Sequence, residues 1–113
     1  MEHELINSGK QAFIEENYES ALSYFSKGLE KDENNYIAHL YRGCTYNKLG
    51  DYDNAIHDFN QVEKSGKTYD YLYNRALSHY YNEDFSEASK DLHQAKEKIG
   101  NNELISSLLL KLD

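Results

Sequence analysis

Asn17-Tyr18-Glu19-Ser20-Ala21-Leu22 decides the fold, because the chain returns to it twice. Asp51-Tyr52-Asp53-Asn54-Ala55-Ile56 repeats the pattern, and Asp84-Phe85-Ser86-Glu87-Ala88-Ser89 repeats it again. The aromatics Tyr18, Tyr52 and Phe85 stand 34 and then 33 residues apart. A small residue follows each at a fixed distance (Ala21, Ala55, Ala88), then a large one (Phe25, Phe59, Leu92), then Gly28, Val62 or Ala95. Upstream, Gly9, Gly43 and Ala76 each precede the aromatic by nine residues. Self-similarity at such a period marks a repeat architecture whose units bury their apolar faces on one another. Small residues at the matched positions let two helix axes approach, and large ones fill the space between successive units. Each unit is therefore expected to be a pair of antiparallel helices.

Working outward, helices are expected at about 3–15, 18–31, 36–48, 52–64, 69–81 and 85–98, with turns near 15–18, 49–52 and 82–85. Gly50 suits the second turn, where a helix commonly ends on a left-handed residue. Asp51 and Asp84 are expected to cap the helices that follow. A seventh helix is expected over about 102–112, with Leu104, Ile105, Leu108, Leu109 and Leu112 as one apolar stripe. It would cap the open face of the last repeat. The 113 residues contain no proline and six glycines, which favours helices throughout.

Composition narrows the function. Twenty acidic residues against 12 Lys and Arg give a formal net charge of -8. Nucleic-acid binders neutralise phosphates with clustered cations, so no nucleic acid is expected as a partner. An anionic membrane surface is disfavoured for the same reason. The longest aliphatic run, Leu108 to Leu110, is far short of the roughly 20 apolar residues that span a bilayer. One cysteine, Cys44, has no internal partner, so a reducing, cytoplasmic compartment is the expectation. Acid is concentrated in residues 1–35, where it would steer a basic partner or simply solvate the surface.

No catalytic or metal site is expected. His3, His39, His57, His79 and His93 are dispersed, with no pair at zincin spacing. Cys44 has no second cysteine for a zinc knuckle and no base beside it in sequence. Asp51-Tyr52-Asp53-Asn54 starts like a calcium loop, but Ala55 and Ile56 stand where ligand and glycine are needed. The glycines are scattered rather than gathered in a phosphate loop. No cofactor is expected.

The period and the order of small, aromatic, Ala and Phe positions resemble the tetratricopeptide repeat (TPR). The resemblance covers three units at about 2–35, 36–68 and 69–102, so that 1–113 reads as a single domain. The family's early Trp is replaced by Leu5, His39 and Leu72, and its terminal Pro by Glu33, Lys67 and Gly100. The resemblance implies an all-α, right-handed superhelical solenoid of three helix-turn-helix units plus a C-terminal capping helix. It implies a concave groove lined by the first helix of each unit: His3, Ile6, Lys10 and Phe13; Ile37, Leu40, Cys44 and Asn47; Asp70, Tyr73, Leu77 and Tyr80. Ile6, Phe13, Leu40, Tyr73, Leu77 and Tyr80 would be apolar anchors, and Lys10, Asn47 and Asn74 would orient a ligand. The implied function is a scaffold or adaptor that binds a peptide or helix of a partner protein, without catalysis.

Two alternatives stand beside it. One is a self-associating structural module that pairs with a second copy through the C-terminal helix, with Leu110 off the main stripe. The other is a co-chaperone that binds chaperone C-terminal tails through a divergent clamp. The family's carboxylate clamp uses Lys, Asn, Asn, Lys and Arg. The matching positions here are Ile6, Lys10, Tyr41, Asp70 and Asn74, none with the clamp residue.

Overall fold

The computed structural model describes residues 2–112. Seven helices follow one another: α1 Glu2–Ile14, α2 Tyr18–Lys31, α3 Tyr36–Leu49, α4 Tyr52–Ser65, α5 Tyr71–Tyr81, α6 Phe85–Ile99 and α7 Glu103–Leu112. Among the described residues there is no strand. α1 packs on α2, α3 on α4 and α5 on α6, and the pairs stack in chain order. The odd helices also touch along the series α1, α3, α5, whereas no comparable contact joins α2 to α4 or α4 to α6. The first helices of the pairs therefore lie closer together and form the inner side.

The three pairs turn in the same way. Glu16 (φ 62°), Gly50 (φ 80°) and Glu83 (φ 62°) take the left-handed conformation at the matched position. The following amide then reaches back to the last turn of the helix: Asn17 N–H donates to Ala12 O at 2.8 Å, Asp51 to Tyr46 O at 2.9 Å and Asp84 to His79 O at 2.8 Å. This pairing satisfies carbonyls that the helix end leaves open. Only the middle turn uses the residue that enters this region without cost.

Capping departs from expectation at one place. Asp51 accepts from Asn54 N–H at 3.4 Å, and Asn35 and Asn102 cap α3 and α7 at 3.1 and 2.9 Å. Asp84 makes no side-chain cap. Its carboxylate lies 3.9 Å from His79 Nδ1 instead.

Packing explains the small and large positions. A Cβ on Gly9 would sit 2.5 Å from Phe25 Cε1, and one on Gly43 would sit 2.6 Å from Phe59 Cε1. The helices of the first two pairs close only because those positions are glycine. In the third pair the shorter Leu92 faces Ala76, and both are fully buried. Phe25 also meets Tyr41 of the next repeat, with ring centroids 5.9 Å apart. The turn aromatics are less buried than a spacer role requires. Tyr18 meets Phe13 edge-on at 5.5 Å, Tyr52 stacks on Tyr81 at 5.4 Å, and Phe85 is exposed with Tyr80 at 5.6 Å.

Two ion pairs, each on a buried aspartate and unforeseen from the sequence, tie each later pair together. Arg42 donates to both carboxylate oxygens of Asp58 at 2.8 Å and to Ser26 Oγ of the preceding repeat at 3.1 Å. Arg75 holds Asp91 at 2.8 and 2.9 Å and reaches Asn60 and Glu63 of the preceding repeat. The first pair has Ser8 and Tyr24 at these positions. At the far end Ile105 and Leu108 of α7 are buried. Leu104, expected on that stripe, points outward with Leu110, because Glu103–Leu112 offers only one face to α6.

Candidate functional site

A cleft of about 710 Å³ crosses the inner side. It is lined from α1 by Phe13, from α3 by Cys44, Asn47 and Lys48, and from α5 by Tyr73, Asn74, Leu77 and Tyr81. Tyr52, the first residue of α4, completes the lining. Three successive repeats thus contribute to one surface. Its walls are largely aromatic or aliphatic, and Lys48 is the single charged residue among those lining it.

Six of the groove residues expected from the sequence meet here: Phe13, Cys44, Asn47, Tyr73, Asn74 and Leu77. The others lie elsewhere. Ile6 is buried against Gly28, where α1 crosses α2, and so faces the core rather than the groove. Leu40 packs against the core of the second and third repeats. Tyr80 sits between the rings of Tyr81 and Phe85, at 5.3 and 5.6 Å. Asp70 is exposed at the start of α5, and its carbonyl accepts from Asn74 Nδ2 at 3.4 Å. Lys10 Nζ lies 5.2 Å from the centre of the Tyr41 ring, a cation–π contact beside the cleft. His3 is exposed, and Ile37 packs on the core of the first repeat.

Three lining residues were not expected: Lys48, Tyr52 and Tyr81. Each stands within a turn of the connection between the helices of a repeat. There the groove extends beyond the positions that the resemblance marks. The sequence carried one usable signal, since Tyr81 and Lys48 stand 33 residues apart at matched places.

The polar groups differ in what they have left to give. Asn47 Nδ2 donates to Asn74 O at 3.0 Å, and Asn47 Oδ1 accepts from Ser78 Oγ at 2.6 Å. Half of its amide is therefore spent tying α3 to α5. Asn74 spends only one long bond from its side chain. Burial pushes the Cys44 thiol up to about 12, only partly offset by Lys48. At neutral pH it is a small apolar wall rather than a nucleophile. Burial also raises the Tyr73 phenol, which stays neutral. Among the described residues no group of three His, Cys, Asp or Glu converges to hold a metal. His39, the buried histidine, uses both ring nitrogens within the fold, at 2.9 Å to Asp58 and 2.8 Å to Glu33 O. No helix among the described residues is long and apolar enough to cross a membrane.

A family model described as tetratricopeptide repeat matches residues 24–57, from α2 into α4. Solved structures agree over almost the whole chain. The first TPR of Spaghetti (RPAP3) bound to HSP90 peptide SRMEEVD superposes with a TM-score of 0.93 at 22% identity, over 98% of this chain and 89% of that one. The chain is built from tetratricopeptide repeats. It is a right-handed TPR solenoid. The Arabidopsis OM64 TPR domain also gives 0.93, at 14% identity over 98% of this chain and 93% of that one. In sequence the TPR chain is 37% identical to human tetratricopeptide repeat protein 12 over 82 residues, 67% of this chain. That stretch is only 12% of the relative's length.

Proposed function

We propose that this TPR domain is a non-catalytic adaptor whose cleft binds a peptide segment of a partner protein. The observation that carries the reading is the joint lining of one apolar cleft by three successive repeats. Apolar surface of this kind, rimmed by polar residues, is where partner side chains gain most by leaving water. Phe13, Tyr73 and Leu77 serve as anchoring walls, with Tyr52 and Tyr81 at the turn end. Asn74 and Lys48 supply the unspent polar groups. Ile6 and Leu40 support the cleft by packing, and Asn47 does so by joining α3 to α5.

Similar structures support a peptide ligand: one is the RPAP3 domain with its HSP90 peptide, another the Yersinia chaperone SycD with a peptide of YopD. The geometry favours a ligand other than a chaperone tail. Of the five positions that match the carboxylate clamp, Ile6 is buried, Tyr41 is packed between Phe13 and Phe25, and Asp70 brings negative charge. The lone thiol fits a reducing compartment such as the cytoplasm.

Capture from native lysate tests the reading, with wild type beside an Asn74→Ala, Tyr81→Ala variant shown by circular dichroism to be folded. A prey retained by the first and lost by the second is the expected result. An identical set of preys on both would remove the cleft as the binding site.

A further inference from the structure

The cleft opens at one end onto the three connections between paired helices. Phe13, Lys48 and Tyr81 are each within a few residues of such a connection, and Tyr52 begins the helix after one. The second and third connections are joined: Asn82 Nδ2 donates to Asp53 Oδ1 at 2.8 Å, and Tyr52 stacks on Tyr81. Apolar surface continues out of the cleft along this edge. Ile14 is 72% exposed and Leu49 40%.

The same edge is strongly acidic. Glu15 and Glu16 stand in the first connection, Asp51 and Asp53 at the second, Glu83 and Asp84 in the third. All but the half-buried Asp51 are exposed. Against six carboxylates stands one cation, Lys48, a difference of five negative charges. Low-dielectric walls beside charges of one sign focus their field toward the opening. A ligand that extends out of the cleft at this end passes this rim.

We propose that the segment bound here is basic and amphipathic, with apolar side chains entering the cleft and adjacent Lys or Arg residues facing the acidic rim. The proposal rests on the cleft's being the binding site and adds the sign of the ligand's charge. It is the opposite sign from that of the acidic peptide SRMEEVD seen on the similar RPAP3 domain. Complementary rim charge contributes mainly to association rate and partner choice, so the interaction weakens with salt.

Two probes decide it, a short amidated peptide of alternating Leu and Lys and the peptide SRMEEVD, each titrated by fluorescence anisotropy. The domain is used as wild type, as Glu16→Lys, Glu83→Lys and as the milder Glu16→Gln, Glu83→Gln. Among the described residues neither glutamate side chain has a hydrogen-bond or ion-pair partner, and both replacements keep a side chain at the left-handed positions. The Leu–Lys peptide is expected to bind wild type more tightly and to lose roughly tenfold on charge reversal, a few-fold per exposed charge. Raising the salt should narrow that gap. Tighter binding of SRMEEVD, no binding of the Leu–Lys peptide, or equal affinity for all three proteins would overturn the proposal. The Asn74→Ala, Tyr81→Ala variant separates the two readings. If it keeps full affinity for the Leu–Lys peptide while the rim variants lose it, the cleft reading fails. If SRMEEVD wins and the cleft variant abolishes its binding, only the charge assignment fails.

Discussion

Replacing Gly43 by alanine sets two effects of opposite sign against each other. Alanine in a helix interior is favoured over glycine by about 1 kcal/mol. The new Cβ, however, would lie 2.6, 2.8 and 2.9 Å from three ring carbons of Phe59, where ordinary contacts are 3.4–4 Å. The ring is fully buried, so it has no solvent side to yield toward. Overpacking of this kind costs about 1–3 kcal/mol, and three contacts this short place it at the upper end. Gly43→Ala should therefore lose about 1–2 kcal/mol net. Phe59→Leu alone should lose a similar amount by leaving space beside the glycine. Together they recreate the pair that the third repeat already uses, Ala76 against Leu92. The double variant should be more stable than the sum of the single effects by about 1–2 kcal/mol, the coupling expected of residues in contact. Urea unfolding followed by far-UV circular dichroism measures all three. A Gly43→Ala protein more stable than wild type, or single effects that add within about 0.5 kcal/mol, would refute the close-approach account of the repeat.

Glu16→Gly and Glu83→Gly should each stabilise the fold by about 0.5–1 kcal/mol, since both residues hold a positive φ that glycine adopts freely. Gly50→Ala should destabilise by a similar amount although nothing lies within 4 Å of its Cβ position, and thermal melts of the three variants report the signs. Arg75→Ala strands the buried Asp91 carboxylate and should cost about 3–5 kcal/mol. Arg75→Met with Asp91→Leu should recover most of that in the same urea titration. Cys44 should resist alkylation by iodoacetamide at pH 8, because burial pushes its thiol up to about 12 and leaves little of the reactive thiolate. Alkylation at the rate of free cysteine would show that the wall of the cleft opens.

Much of this was legible because the deciding contacts are local and repeated. Gly9 and Phe25, Gly43 and Phe59, Ala76 and Leu92 are each 16 residues apart, within one helix pair, so the residue types that permit close approach recur with the repeat itself. The turns were legible for the same reason, though only Gly50 announced its left-handed conformation. Arg42 with Asp58 and Arg75 with Asp91 also recur at a spacing of 33, a signal present in the chain but hidden among many charged surface residues.

The sequence by itself determined the repeat and its small and large packing positions, while the first helices as the source of the inner face were implied only by the family resemblance. Only the tertiary structure decided which inner-face residues are free. Ile6 and Phe13 lie on the same helix and are both apolar. Ile6 is closed off by the glycine face of α2, and Phe13 opens into the space between repeats. That outcome depends on how far each pair is displaced along the stack, a sum of contacts among α1, α3 and α5 that no single repeat contains. The same displacement carries Lys48, Tyr52 and Tyr81 to the cleft and gathers the acidic turns along its open end.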